Sequence, residues 1–204
     1  ARRPPEAPIP KIVCFIGRFV RIKDIKTFIR AVSIMVSHDH NIKAWIRMVG
    51  EGDKEYMEEC LDYIKLLDLS EKIIFVTQGD MIEILNRIGL LIVSSISEGM
   101  PLVLLESLAA GIPAIATDVG ACREIIEGAD EEDKALGTCG KIVSIADAPM
   151  LAEAAVTLLN DAALWKQAQK TGIERVEKYY NQDMMIESYK EIYQKAILHG
   201  RDRV

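Results

Sequence analysis

Six short runs of aliphatic and β-branched residues recur along this 204-residue chain, and nearly every one is followed by a segment with helical spacing. The runs are Lys11 to Ile16, Ala44 to Val49, Ile73 to Val76, Leu90 to Val93, Ala114 to Ala116 and Lys141 to Val143. Several are apolar at consecutive rather than alternate positions, so both faces of those strands need cover. After the first run, Asp24 is placed to cap a helix in which Ile25, Phe28, Ile29, Val32, Met35 and Val36 fall on one face. Further helices are expected at Lys54 to Leu67, Met81 to Arg87, after Pro101, around Arg123 to Glu127, and at Pro149 to Asn160, Ala162 to Tyr179 and Asp183 to Leu198. Apolar strands that alternate with helices predict a doubly wound α/β fold, a parallel sheet of about six strands with helices at its C-terminal end.

Two segments break the alternation. Ala1 to Pro10 (ARRPPEAPIP) holds four prolines in ten residues and is expected to be an extended linker, with a further domain before it. Ala129 to Gly140 (ADEEDKALGTCG) is charged and glycine-containing, and is expected to be a surface excursion. Residues 11 to 204 are then one domain, a size at which a chain that is 50% hydrophobic can bury a sizeable core.

Composition narrows the function. No apolar stretch approaches the roughly 20 residues that span a bilayer, and no signal peptide is evident, so a soluble, cytoplasmic protein is expected. Cys14, Cys60, Cys122 and Cys139 are far apart and form no C-x-x-C pair, which predicts reduced, packed thiols. The net charge of −6 hides an asymmetry: residues 1 to 30 carry eight Lys and Arg against two Asp and Glu, and the remainder 17 against 29. Arg18, Arg21, Lys23, Lys26 and Arg30 therefore form a local basic group in an acidic protein, better suited to a small anionic ligand than to a nucleic acid. For Arg21, Lys26 and Arg30 a solvated helix face explains the charges equally well.

Ligands of such sheets bind beyond the carboxyl ends of the strands. Three segments lie there: Gly17-Arg18 through Lys23, Thr77-Gln78-Gly79, and Ser95 through Glu106. The third contains Glu98-Gly99-Met100-Pro101-Leu102-Val103-Leu104-Leu105-Glu106, two carboxylates eight residues apart around an expected helix start. Proline suits the first helical position, and the unpaired N–H groups there suit a phosphate. Eight residues of helix rise about 12 Å, too far for a pair of hydrolytic carboxylates and better matched to the two ends of an extended ligand. Gly17 is expected to let the chain turn out of its strand, Arg18 to grip a phosphate through two hydrogen bonds and Lys23 to add a mobile charge. The structural alternatives are a salt bridge for Arg18, plain solvent exposure for Lys23, and a favourable charge at a helix start for Glu98. No dinucleotide fingerprint, P-loop or D-x-D pair is present, and His38, His40 and His199 are expected to be solvent-exposed.

Taken together these residues resemble the retaining, nucleotide-sugar-dependent glycosyltransferases of family 4, which have two Rossmann-like domains in the GT-B arrangement. The resemblance runs from Ile12 onward and also takes in Val49-Gly50-Glu51-Gly52, Phe75 to Gly79, Ala110-Gly111-Ile112-Pro113, and Asp118-Val119-Gly120 before Glu124. Within that family the wording from Glu98 to Gly128 and the insertion after it are similar to the transferases of Pel-type exopolysaccharide synthesis. The resemblance implies that this is the C-terminal, donor-binding half, with a UDP-sugar such as UDP-glucose as donor, no cofactor and no metal. It implies an absent N-terminal acceptor domain and a membrane-embedded export assembly as partners, with no nucleic acid. It assigns Arg18 and Lys23 to the diphosphate, Glu98 to the donor sugar, Gly99, Met100, Pro101, Leu102 and Val103 to sugar and phosphate, and Glu106 to the ribose. Gly17 and Ser95 join the donor site, and Thr77, Gln78 and Gly79 lie near the base. Two other functions fit the same residues: a nucleotide-sugar epimerase on this architecture, and a non-catalytic nucleotide-sugar sensor or assembly module.

Overall fold

Strands that are apolar on both faces feed two cores at once, and the computed structural model of the chain is built that way. It describes the backbone of residues 2 to 4 and 6 to 201, and side chains as far as Ile197. The elements are β1 (Ile12–Gly17), α1 (Ile25–His38), β2 (Lys43–Met48), α2 (Lys54–Leu66), β3 (Ile73–Phe75), α3 (Met81–Arg87), β4 (Leu90–Val93) and α4 (Leu102–Ala109). They continue with β5 (Ala114–Thr117), α5 (Cys122–Glu127), α6 (Glu131–Lys134), β6 (Gly140–Val143), α7 (Ala148–Asn160), α8 (Ala162–Tyr179) and α9 (Gln182–Arg201). A single 3-10 turn, Arg21–Lys23, precedes α1. In β1, Val13 and Phe15 enter the layer formed with α1, α2 and α7, whereas Cys14 and Ile16 enter the layer formed with α3, α4, α5 and α8. Leu90 and Ile92 of β4 take the first side and Leu91 and Val93 the second. Each fully buried side chain of this size contributes about 1.5–3 kcal/mol.

All strand pairs are parallel, in the order β3-β2-β1-β4-β5-β6. Val13 lies opposite Ala44 of β2 and Leu90 of β4, so β1 and β4 are neighbours in the middle of the sheet. The chain leaves β1 toward β2 on one side and β4 toward β5 on the other. The loops after β1 and β4 therefore diverge and open a crevice at the carboxyl ends, the topological switch point of a Rossmann-type sheet.

The two segments expected to be loose are fastened. Of the expected linker, Ala1 and Pro5 lie outside the described residues, as do residues 202 to 204 of the expected domain. The rest has no regular structure, as expected, yet it is docked through Arg3, which is 6% exposed. Its N–H donates to the Ala110 carbonyl (3.0 Å) and its guanidinium to the carbonyls of Asn86 (3.1 Å), Ile88 (3.3 Å) and Pro8. The guanidinium also lies over the Trp165 ring. The excursion at 129 to 140 forms the short α6, and Asp133 within it is buried against Arg175 of α8, Nε to Oδ1 2.5 Å. Composition signalled exposure there because only one of its charges turns inward. In α9, Met185, Tyr189, Ile192 and Tyr193 stay exposed. Among the described residues no helix is long and apolar enough to cross a membrane.

Candidate donor site

Most helices of the fold start on an aspartate cap; α4, at the site, and α5 do not. Asp24, Asp53, Asp80, Asp130, Asp147 and Asp161 each accept a backbone N–H at the start of the helix that follows them. The start of α4 has no such side chain. Pro101 is its N-cap (φ −73°, ψ 105°) rather than its first helical residue, and Leu102 begins the helix. Uncapped first-turn N–H groups at the positive end of a helix are suited to an anion. The late start also means that the rise estimated for eight helical residues does not apply to the two carboxylates. Only Leu102 to Glu106 is helical, a rise of about 6 Å rather than 12 Å, and Glu98 sits on the loop before it.

That loop is held from three sides. Ala121 donates its N–H to the Gly99 carbonyl (2.8 Å), Thr117 Oγ1 donates to the Ser95 carbonyl (2.6 Å), and Ile96 donates its N–H to the Ile22 carbonyl (2.8 Å). Gly120, at φ +50°, lies so close that a Cβ there would meet the carbonyl oxygens of Glu98 and Gly99 at 2.3 Å. Ser94 Oγ donates to the Lys23 carbonyl (3.0 Å), which ties the loop after β1 to the one after β4.

Between these two loops lies a cleft of ≈ 540 Å³. It is lined by Gly17, Arg18, Lys23, Glu98, Met100, Pro101, Leu102, Val103 and Glu106, together with Ile16, Val49, Gly50 and Met81. Sequence distance thus collapses at the switch point, and nine of the expected site residues face one space. Lys23 Nζ donates to Glu98 Oε1 at 2.6 Å, and Ser95 Oγ donates to the same oxygen at 2.6 Å. Burial and then the Glu98 carboxylate push the neighbouring Cys122 thiol up to about 11. Arg18 is exposed and, among the described residues, forms no ion pair, so the salt bridge considered for it is not formed. Lys23 is paired rather than simply solvated.

Other expected residues sit differently. Gly17 is not in the left-handed region, so it does not act through a special turn. A Cβ there would meet the Phe15 ring at 3.2 Å, which makes its small size the constraint. Ser95 is 1% exposed and reaches the cleft only through Glu98. Gly99 is exposed on the loop but does not line the cleft. Thr77, Gln78 and Gly79 are exposed after β3 and do not line the cleft, and Gly79 turns there at φ +97°. Arg47, which the sequence did not single out, donates to the Val76 (3.1 Å) and Gly79 (3.4 Å) carbonyls and shapes that loop. Of the basic group, Arg21 and Lys26 both bind Glu59 of α2 at 2.6 Å and leave the cleft to Arg18 and Lys23. The scaffold residues Ser94 and Thr117 carry no signal in a single sequence, since a serine or threonine after a strand is ordinary. Gly120 entered only through the family resemblance.

Comparison with known proteins gives the geometry a family. Residues 10–161 match the family model described as glycosyl transferases group 1. The N-acetyl-alpha-D-glucosaminyl L-malate synthase of Bacillus anthracis is 27% identical over 186 residues, 90% of this chain and 45% of that protein. The chain spans under half the length of the curated relatives it matches. Among solved structures, Anabaena Alr3699/HepE in complex with UDP and glucose has the same fold at a TM-score of 0.81 and 17% identity, covering 92% of this chain and 49% of that one. The C-terminal domain of a glycosyl transferase group 1 family protein, LpcC, from Francisella tularensis aligns at a TM-score of 0.71 and 23% identity, covering 88% of this chain and 96% of that one. With a six-stranded Rossmann-type sheet, a cleft at its switch point and a family match over most of its length, the chain belongs to the glycosyl transferases group 1 family.

Proposed function

We propose that this chain is the donor-binding half of a retaining glycosyltransferase that transfers a hexose from a UDP-sugar to a growing glycan. One observation carries the proposal: Arg18, Lys23, Glu98, the uncapped start of α4 and Glu106 converge on one cleft. Arg18 and Lys23 hold the diphosphate and stabilise the charge that grows on it as the glycosidic bond breaks, so preorganised cations do the work of a metal. Backbone N–H groups at the start of α4 complete the phosphate site. Glu98 accepts hydrogen bonds from hydroxyls of the donor sugar, Glu106 from the ribose, and Thr77 to Gly79 flank the base. The presence of UDP and glucose in the Anabaena structure supports this choice of donor, and the alignment with an isolated C-terminal domain supports the assignment to the C-terminal half.

On this reading residues 1 to 10 join the donor domain to an N-terminal acceptor domain. The resemblance in sequence to Pel-type transferases favours a growing exopolysaccharide or other glycan as acceptor, with a membrane-embedded export assembly as a further partner. Isothermal titration of UDP, ADP, GDP and UDP-glucose into the chain tests the donor site. Binding of UDP and UDP-glucose is expected, and absence of binding of every nucleotide at millimolar concentration would sink the proposal.

A further inference from the structure

Lys23 and Glu98 both belong to the proposed donor site, yet each is the other's partner. Their ion pair is part-buried, with 22% of the Lys23 side chain and 11% of the Glu98 side chain exposed. It is also built into the scaffold on both sides. The Lys23 carbonyl is held by Ser94, and the second donor to Glu98, Ser95, is itself 1% exposed and fixed through its carbonyl by Thr117. Both hydrogen bonds go to Oε1. Arg18, by contrast, stands exposed in the same cleft with no carboxylate partner among the described residues.

We infer that Glu98 competes with the diphosphate for Lys23 and thereby makes the site discriminate an intact nucleotide-sugar from bare nucleoside diphosphate. This inference rests on the donor-site reading above. A diphosphate that draws Lys23 away leaves Glu98 with the Ser95 hydroxyl alone, and a largely buried carboxylate that loses its counter-ion is costly. An intact donor compensates, because its sugar presents hydroxyl donors to the vacated side of the carboxylate. Bare UDP presents none, so it either leaves Glu98 underpaired or forgoes Lys23. The leaving product is thus disfavoured by the residue that favours the substrate, and Glu98 determines specificity as well as orienting the sugar.

Glu98→Gln keeps the shape of the side chain and its acceptor for Ser95 but removes the charge that holds Lys23. Calorimetric titration of the intact chain should show UDP binding about three- to tenfold tighter to Glu98→Gln than to the unsubstituted chain. UDP-glucose should gain nothing or weaken, so the preference for the sugar-bearing ligand falls. Glu106→Gln removes the same unit of charge from the same cleft without touching Lys23, and should weaken UDP rather than tighten it. UDP affinity that is unchanged or lower in Glu98→Gln overturns the inference while leaving the donor site standing. Tightening by both variants overturns it too, because general charge removal would then be the cause. Failure of both Glu98→Gln and the unsubstituted chain to bind any nucleotide overturns the inference and the donor-site reading together.

Discussion

Arg18 and Lys23 leave the end of the same strand and meet different fates. Lys23 is held by a carboxylate at 2.6 Å, whereas Arg18 projects into the cleft beside Gly50, whose missing Cβ would lie 3.8 Å from Arg18 Cγ. A planar guanidinium free of a carboxylate can offer two parallel hydrogen bonds to phosphate oxygens. Arg18→Ala should therefore weaken UDP by about 1.5–3 kcal/mol, read by calorimetry, with little change in melting temperature because the side chain is exposed. Unaltered affinity would exclude Arg18 from the phosphate site. Gly120 makes the opposite demand, since its constraint is the close approach of two backbones. Gly120→Ala should destabilise the fold by about 1–3 kcal/mol and weaken UDP binding by ~10–100-fold through displacement of the Glu98 loop. Gly99→Ala, where a Cβ would meet nothing within 4 Å, should leave the free energy of unfolding within about 0.5 kcal/mol of the starting value.

At the scale of elements, the junction between the 3-10 turn and α2 gives a pH-dependent prediction. Hydrogen bonds from Arg21 and then Lys26 hold the Glu59 carboxyl down at about 2, against an ordinary value of 4.5. A carboxylate whose folded pKa is depressed adds stability that is fully present above its unfolded pKa and is lost as the pH falls toward the folded one. The difference in urea midpoint between the chain and its Glu59→Gln variant should thus be constant above pH 5, shrink below pH 4.5 and vanish near pH 2. A difference independent of pH would mean that packing, not the ion pairs, fixes the turn.

The elements themselves were largely legible in the sequence. All six strands and the main helices fall where apolar runs and helical spacing put them, because burial on both faces leaves each strand a nearly unbroken signature. The crevice was legible as well, since strand order in such sheets places ligands at the carboxyl ends. What stayed hidden was pairing. Nothing in a single sequence says that Lys23 faces Glu98, that Arg21 and Lys26 share Glu59, or that Arg47 spans to the loop after β3. The one-residue error at the start of α4 arose because proline fits the N-cap and the first helical position equally well by its fixed φ.

Across the whole molecule, one buried ion pair links regions that the sequence left separate. Arg175 of α8 is fully buried. Its Nε meets Asp133 Oδ1 at 2.5 Å, and its other nitrogens donate to the carbonyls of Ile126 (2.7 Å), Gly137 (2.8 Å) and Asp133 itself (2.9 Å). The second Asp133 oxygen accepts the Ala129 N–H (2.9 Å), so both lone-pair sets of the carboxylate are engaged. The guanidinium thereby satisfies the C-terminal carbonyls of α5, whose N-terminal flank, Ala121, holds the Glu98 loop through Gly99. Removing one member of such a pair strands a buried charge, so Arg175→Met and Asp133→Leu should each cost about 3–5 kcal/mol in urea unfolding. Arg175→Lys should recover only a minor part, because a point charge cannot serve four acceptors held in a planar fork. The combined Asp133→Leu, Arg175→Met chain should be less destabilised than the sum of its parts, since neither charge is then left alone, although the Gly137 carbonyl loses its Arg175 donor and the Ile126 carbonyl keeps only the Cys139 donors. Additive effects would mean that the carbonyl contacts, rather than the ion pair, make Arg175 the anchor between α8, the 129–140 segment and the helix behind the cleft.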